Sequence, residues 1–235
     1  MNFAVTGIGW AGGCGAGRSG DSSSPGFTAV TYEALGKKEI YGSLDGRKGR
    51  LDPFSLLGLS AAAMALRDSG REGRGERLRA AMVARSVYGC LPTDAEFYAT
   101  VKPQGGKLAS PNLFAYTLPN CFFGEAAVRY GLCGPTMVLS GEDTLLAVDT
   151  AIDLMLSGDA DFALCGVTDL PPHPDTGLPP LPMPGAIFLL IEPEGSANYA
   201  RGIGILNDRA EMDGARPDTF LTLFESLLKK SHFGS

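Results

Sequence analysis

The sequence predicts an α/β fold: a mixed five-stranded sheet with helices covering both of its faces. Short apolar runs of strand length alternate with longer segments whose apolar residues recur at helical spacing. The strand candidates are apolar throughout, which indicates a sheet that is covered on both faces. Of the 235 residues, 44% are hydrophobic and 20% are charged, as in globular proteins. We therefore expect one domain over residues 1–235.

The elements follow in a regular order. A strand is predicted at residues 3–8, followed by a Gly/Ser-rich loop through about Gly26. A helix is predicted from Asp52, because an N-cap acid followed by proline is a strong helix start, and it ends near Gly70. Further strands are predicted at residues 83–89, 136–140, 161–167 and 186–191. Helices are predicted at residues 143–156 and 219–230, with an extra edge strand at residues 202–207.

Composition excludes several classes of function. A net charge of −6 and a pI near 5.0 argue against a nucleic-acid-binding protein. No apolar run has the length of a membrane span, and no signal peptide is evident. The five cysteines form neither a disulfide framework nor a CxxC pair, so we expect the cytoplasm and no metal. His173 and His232 are interpreted as surface residues, and no cofactor is expected.

Two biased segments each leave two interpretations open. The first is a basic cluster, which is either a solvated helix end and loop, the favoured interpretation, or a landing patch for an acidic partner. It comprises Arg67, Arg71, Arg74, Arg77, Arg79 and Arg85. The second is the proline-rich run at residues 171–184, between two predicted strands. It is either a stiff connecting loop, again favoured, or a polyproline ligand.

Residues 7–12 match the GxGxxG pattern of dinucleotide-binding proteins. That pattern requires a helix to begin at its glycines, because the helix N-terminus holds the pyrophosphate. Here glycines and serines continue to Pro25, so we expect no NAD or FAD site.

No catalytic triad or activated thiol is evident either. Two poorly placed histidines leave the many serines without a base. Cys165 falls inside a predicted strand and is expected to be buried and inert. Cys133 lies in a turn with nothing nearby to lower its pKa.

Residues 112–169 carry a specific resemblance. The elements are LPN at residues 118–120, RYGLCGP at 129–135 and SGDAD at 157–161, followed by Cys165-Gly166. Together they resemble the N-terminal half of β-ketoacyl-acyl carrier protein synthases of the thiolase superfamily. The resemblance implies a half-thiolase fold. It also implies that the strand at residues 136–140 pairs with a counterpart across a dimer axis.

Two departures from the family pattern bear on activity. Family synthases carry their nucleophilic cysteine at the start of the helix that follows this strand, where this sequence has Ser140-Gly-Glu-Asp143. A carboxylate cannot accept an acyl chain as a thioester, and Asp143 is interpreted as the helix N-cap. The later half that supplies the family's histidines and lysine has no counterpart in the sequence. We therefore expect no catalytic residue.

The resemblance implies a non-catalytic subunit similar to chain-length factors, in particular those of aryl polyene pathways. Such a subunit pairs with an active synthase, shapes its acyl tunnel and works with acyl carrier protein. The tunnel or interface candidates are Phe114, Tyr116, Thr117, Phe122 and Phe123, alongside Leu113 and Leu118, and core packing is the other interpretation of this aromatic group. Two functions stay open: an acyl-thioester decarboxylase or hydrolase using Glu142 or Asp143, and a homodimeric protein that binds acyl groups or carrier protein.

Overall fold

The computed structural model describes residues 1–21, 26–27, 35–36, 40, 51–72, 77–172, 176–181 and 183–233. Its strands are β1 (Asn2–Gly12), β2 (Gly15–Arg18), β3 (Leu78–Arg85), β4 (Leu132–Cys133), β5 (Thr136–Leu139), β6 (Phe162–Asp169), β7 (Gly185–Pro193) and β8 (Gly204–Asn207). Its helices are α1 (Pro53–Asp68), α2 (Leu91–Val101), α3 (Pro111–Phe114), α4 (Cys121–Tyr130), α5 (Leu146–Leu156) and α6 (Phe220–Phe233). The predictions for residues 22–25, Arg74 and His173 lie outside the described residues.

The strands form one mixed sheet in the order β2-β1-β7-β6-β3-β4, with β5 paired to β3 and β8 paired to β1. Strands β5 and β6 are both parallel to β3, whereas β7 is antiparallel to β6 and to β1. The five predicted strands and the predicted edge strand are all present, and the mixed α/β fold class is confirmed. Strands β2 and β4 were not predicted. Strand β3 begins at Leu78 and ends at Arg85, earlier than predicted, because residues 86–89 turn away to meet Asp169.

Helices cover both faces of the sheet, as predicted. Helices α1 and α4 pack on one face, where the rings of Phe54, Phe122 and Phe188 contact one another. Helices α5 and α6 pack on the other face, where Trp10 lies against Phe224. Each face therefore has its own apolar core, and the sheet is buried between them.

Helix α1 begins as its sequence predicts. The carboxylate of Asp52 accepts a hydrogen bond from the Ser55 N–H at 3.1 Å, and Pro53 occupies the first turn. The other Asp52 oxygen accepts a hydrogen bond from the Thr93 hydroxyl at 2.6 Å. This buried cap thus also ties the start of α1 to α2.

The glycines of the GxGxxG pattern serve helix packing. Strand β1 continues through Gly12, so no helix begins at these glycines. A Cβ at Gly7 would overlap the Ala65 carbonyl of α1, and one at Gly9 would overlap the Ala61 carbonyl. The pattern therefore marks the close approach of α1 to β1.

The proline-rich run forms part of the connection between β6 and β7. Its described residues lie against the sheet edge, where the Tyr88 hydroxyl donates a hydrogen bond to the Pro179 carbonyl at 2.9 Å. Across the described parts of the chain, no helix is long and apolar enough to cross a membrane.

Candidate functional site

Three loops meet at the carboxyl ends of the parallel strands β3, β5 and β6. Asp169, the last residue of β6, accepts hydrogen bonds from the Ser86 hydroxyl at 2.7 Å and from the N–H groups of Val87 and Tyr88 at 2.8 and 3.3 Å. Arg85 donates to the Gly141 carbonyl from Nε and Nη2, at 2.8 and 2.6 Å. Since Arg85 also lies 3.9 Å from the Asp169 carboxylate, this pair holds the turn after β3 and the bend after β5 in place.

Asp143, which the resemblance puts at the position of the family nucleophile, lies in that bend. Helix α5 begins at Leu146 with Leu145 at its N-cap, so the prediction that Asp143 is the N-cap is wrong. The Asp143 carboxylate instead accepts a hydrogen bond from the Leu145 N–H at 2.8 Å, an Asx turn that precedes the helix. Its second oxygen lies 3.6 Å from Arg216, and the side chain is 55% exposed.

Arg216 is itself held by Asp149 on α5, with two short contacts of 3.0 and 2.6 Å. Hydrogen bonding to Asp149 raises the pKa of Arg216. Asp143 is thus one member of a surface ion-pair network that fixes the start of α5. Neighbouring Glu142 is exposed to solvent.

Two of the cysteines lie in surroundings that disfavour an activated thiol. Cys165 is fully buried in β6, as predicted, and burial raises its pKa. Burial, with the nearby Asp94 and Asp52 carboxylates, raises the pKa of Cys90 to about 12. A thiol that serves as a nucleophile needs a lowered pKa, so neither environment suits acyl transfer.

An apolar cavity of about 310 Å³ lies beside the turn after β3. It is enclosed by α2 and by the loop that follows β6, and its walls are formed by Tyr88, Leu91, Pro92, Ala95, Glu96, Leu170, Pro172, Thr176 and Leu178. Its size is at the lower end of the range for small-molecule sites, and its walls suit an alkyl chain. Sequence reasoning missed this cavity because its walls come from segments that are far apart in the chain. We call it the α2 cavity.

The predicted aromatic segment divides into two parts. Phe122 and Phe123 have no exposed surface, and their ring centroids lie 4.2 Å apart in the core beneath α1. This burial favours the core-packing interpretation for these two tunnel or interface candidates, since they fill this chain's own core. Phe114 is 62% exposed, with its ring 5.4 Å from that of Phe97.

Tyr116 and Thr117 are less exposed than Phe114 and less buried than Phe122 and Phe123. Both are half-buried, and burial raises the pKa of the Tyr116 hydroxyl. The Thr117 hydroxyl donates to the Phe114 carbonyl at 2.9 Å and so closes the turn that follows α3.

Large apolar side chains on and around α3 are exposed. Four of them, each 58–63% exposed, lie on α2, on α3 and in the loops that flank α3: Tyr98, Leu108, Phe114 and Leu118. We call these four side chains the aromatic face. Exposed large apolar side chains mark protein interaction sites where they form a contiguous patch.

The edge of strand β5 is a second candidate surface for interaction with another protein. All four of its residues, Thr136–Leu139, are half-buried, and within the described sheet it pairs with β3. It contains no charge and no proline. Natural sheets usually protect an exposed edge strand with charged residues or proline. Because β5 has neither, its edge is suited to pairing with another strand.

The basic cluster is largely used within the chain. Arg67 pairs with Glu72 at 2.7 Å and Arg79 with Asp161 at 3.3 Å. Arg71 pairs with the buried Glu192 at 2.9 Å, and its hydrogen bonds and charge lower the pKa of Glu192 against the opposing effect of burial. These contacts support the structural interpretation of the cluster. No group of three or more potential metal ligands occurs in the described parts of the chain.

Comparison with known proteins identifies a family. The model of the β-ketoacyl synthase N-terminal domain matches residues 32–178. The 3-oxoacyl-[acyl-carrier-protein] synthase 2 of Rhizobium meliloti (strain 1021) is 29% identical over 126 residues, covering 52% of this chain and 30% of the relative. The tetracenomycin polyketide synthase ketoacyl synthase alpha subunit of Streptomyces glaucescens is 32% identical over 136 residues, covering 53% and 32% respectively. The chain thus matches about a third of the length of these curated relatives.

Solved structures share the fold. The ishigamide ketosynthase/chain length factor superposes with a TM-score of 0.58 at 18% identity, covering 84% of this chain and 63% of that one. A type II polyketide synthase acyl-carrier protein in complex with its ketosynthase gives 0.57 at 17% identity, covering 88% and 67%. The fold is that of the thiolase-like ketosynthases, and the chain belongs to the β-ketoacyl synthase N-terminal domain family.

Proposed function

We propose that this chain is a non-catalytic subunit, similar to a chain-length factor, that pairs with an active β-ketoacyl synthase and shapes its acyl tunnel. The observation that carries the proposal is Asp143. A surface carboxylate held by Arg216 stands where the family has its nucleophile, while the fold around it is retained. Such a subunit helps to form the acyl tunnel of the synthase and does not itself catalyse condensation.

Two surfaces support pairing with a synthase. Strand β5 has an unprotected edge, and the aromatic face carries the large apolar side chains that commonly act as binding hot spots. Among the tunnel candidates, Phe114, Tyr116 and Thr117 keep exposed surface that can reach a partner, whereas Phe122 and Phe123 are enclosed in the core.

Acyl carrier protein is the other proposed partner. One of the solved structures that share this fold contains a ketosynthase together with its acyl-carrier protein. We place the pair in the cytoplasm because the five cysteines are all free thiols. An aryl polyene pathway remains the proposed setting.

The α2 cavity favours a second candidate function. Its apolar walls suit an alkyl chain, so a homodimer of the chain could bind an acyl group without a synthase. The decarboxylase or hydrolase alternative has less support, because Glu142 is solvated and Asp143 is ion-paired at the surface. A carboxylate that acts as a general base at neutral pH usually needs a buried environment that raises its pKa.

Incubation with acyl- and malonyl-carrier protein tests whether the chain is catalytic. We expect no covalent adduct by intact mass and no release of carbon dioxide. A stoichiometric adduct on Cys133, or carbon dioxide release that Asp143→Asn abolishes, would establish an enzyme instead.

A further inference from the structure

A second, smaller cavity lies beside Asp169, on the face of the sheet that α5 and α6 cover. Its volume is about 130 Å³. A single water needs only about 10–15 Å³ of such space, so the cavity can hold a small organic molecule. Most of its wall is apolar: Val87, Val167, Leu181, Met183, Phe220 and Leu221. We call it the Asp169 cavity.

Arg85 and Asp169, which both line the cavity, each keep one side-chain atom without a hydrogen bond to the described residues. Arg85 donates to Gly141 through Nε and Nη2, but its Nη1 makes no hydrogen bond to the described residues. All three hydrogen bonds to Asp169 end on Oδ1, and Oδ2 accepts none from the described residues. Nη1 and Oδ2 lie 3.9 Å apart, which is too far for a direct hydrogen bond.

The other polar groups of the cavity are neutral. The Thr144 oxygen accepts a hydrogen bond from the Phe220 N–H at 2.9 Å, which leaves the Thr144 hydroxyl proton free to donate. Thr219 is engaged with Thr222 within α6. Among the described residues that line the cavity, the charged ones are Arg85 and Asp169, and the nearby Asp143 is held outside by Arg216.

The pKa of Asp169, a buried carboxylate at the end of β6, is raised. Burial raises its pKa, and this effect outweighs the opposing hydrogen bonds from Ser86, Val87 and Tyr88 and the charge of Arg85. Asp169 therefore takes up a proton more readily than an exposed aspartate would.

We propose that the Asp169 cavity binds a short-chain carboxylic acid, whose carboxyl group accepts a hydrogen bond from Arg85 and shares one proton with Asp169. The two carboxyl groups then carry a single negative charge, which the Arg85 guanidinium neutralises. Buried charges need such pairing. The apolar wall receives the alkyl chain.

Sharing a proton makes binding dependent on pH. At neutral pH the free acid is ionised, so the complex forms with uptake of one proton from solvent. Affinity therefore falls as pH rises, by about tenfold per pH unit once both carboxyl groups are ionised in the free state.

Titration of the purified chain with sodium butyrate, followed by amide NMR shifts between about pH 6 and pH 8, tests this proposal. For the native sequence, we expect the Kd to rise about tenfold per pH unit. Asp169→Asn keeps the Oδ1 acceptor and presents an amide donor to the carboxylate, so it should bind butyrate without the pH dependence. Arg85→Met should weaken binding at least about tenfold at every pH, because the guanidinium donor is lost.

Val128→Thr, a change at an exposed position on α4 that lines neither cavity, is the control and should leave butyrate binding unchanged. A Kd of the native chain that does not change with pH would overturn the proposal, as would the absence of butyrate binding at millimolar concentration. Unchanged binding by Arg85→Met would also overturn it. If that variant fails to fold, the pH profiles of the native chain and of Asp169→Asn decide the outcome.

Discussion

Two halves of one aromatic segment have opposite environments. In residues 113–118, Phe114 and Leu118 are more than 60% exposed. Only a few residues later, Phe122 and Phe123 are completely buried. The exposed half spans the end of the short helix α3 and the turn after it, whereas the buried half opens α4, which packs against α1 and the sheet. The same residue type therefore stabilises the fold in one half and is available to a partner in the other.

The largest expected effect is the loss of Phe123. Its ring packs against Phe122 and Phe188, so Phe123→Ala leaves a cavity and should cost about 3–5 kcal/mol of the free energy of unfolding. Phe123→Asp should prevent folding, because it places an unpaired charge in the core. Urea denaturation measures both effects. Phe114→Ala is the control, and its cost should stay below about 1.5 kcal/mol, the contribution of one aromatic pair. Equal losses at the two positions would contradict the division of the segment.

The second effect concerns pairing. Phe114→Asp should fold normally, since the side chain is exposed, but it should weaken pairing with a cognate synthase by about 30-fold or more if Phe114 is a hot spot. Sedimentation of the mixed subunits measures this affinity. Val128→Asp, an equally exposed apolar position on α4, is the control variant and should pair like the native chain. Native affinity in Phe114→Asp would remove the aromatic face from the interface.

A smaller effect is expected from Gly58→Ala, which tests how tightly the buried Phe122 ring is packed. A Cβ at Gly58 of α1 would lie about 3.0 Å from the Phe122 ring, which is enclosed by Phe54, Phe123 and Phe188. Alanine usually gains about 0.5–1 kcal/mol over glycine within a helix. Here overpacking should outweigh that gain and leave Gly58→Ala destabilised by about 1 kcal/mol. Thermal unfolding measures the sign, and a stabilised variant would show that the Phe122 ring can move.

The smallest expected effect is on product length. Phe114→Ala should lengthen the products of the reconstituted pair by one or more two-carbon units, and Thr117→Phe should shorten them, because side-chain bulk at these positions limits the tunnel. The condensation rate should change little. Mass analysis of carrier-bound products measures the distribution. An unchanged distribution in both variants would argue against the chain-length role.

The sequence predicted elements that local signals determine. Asp52-Pro53 and the apolar face after it predicted α1, and continuous apolar runs predicted β6 and β7 to within about two residues. Strand β2 was missed because Gly15–Arg18 has no apolar run, and β3 was shifted because Asp169, distant in sequence, turns the chain at Ser86. Long-range hydrogen bonds of this kind leave no local signal.

The candidate site was less predictable. The burial of Phe122 depends on contacts with Phe54 and Phe188, far away in the chain, so residues 113–123 appeared uniform. The α2 cavity and the Asp169 cavity are each lined by segments that are far apart in the chain, and no motif marks them. The resemblance assigned Asp143 to the nucleophile position. Its ion pair with Arg216 could not be predicted, because Arg216 lies in the segment after β8 and only the tertiary structure brings the two residues together.

Native mass spectrometry of the chain mixed with its cognate synthase and acyl-carrier protein tests the central claim most directly, because it reports pairing and acylation together. We predict a complex containing one copy of each subunit, in which the acyl group is attached to the synthase alone. An acyl group on this chain, or no complex with the synthase, would contradict the account.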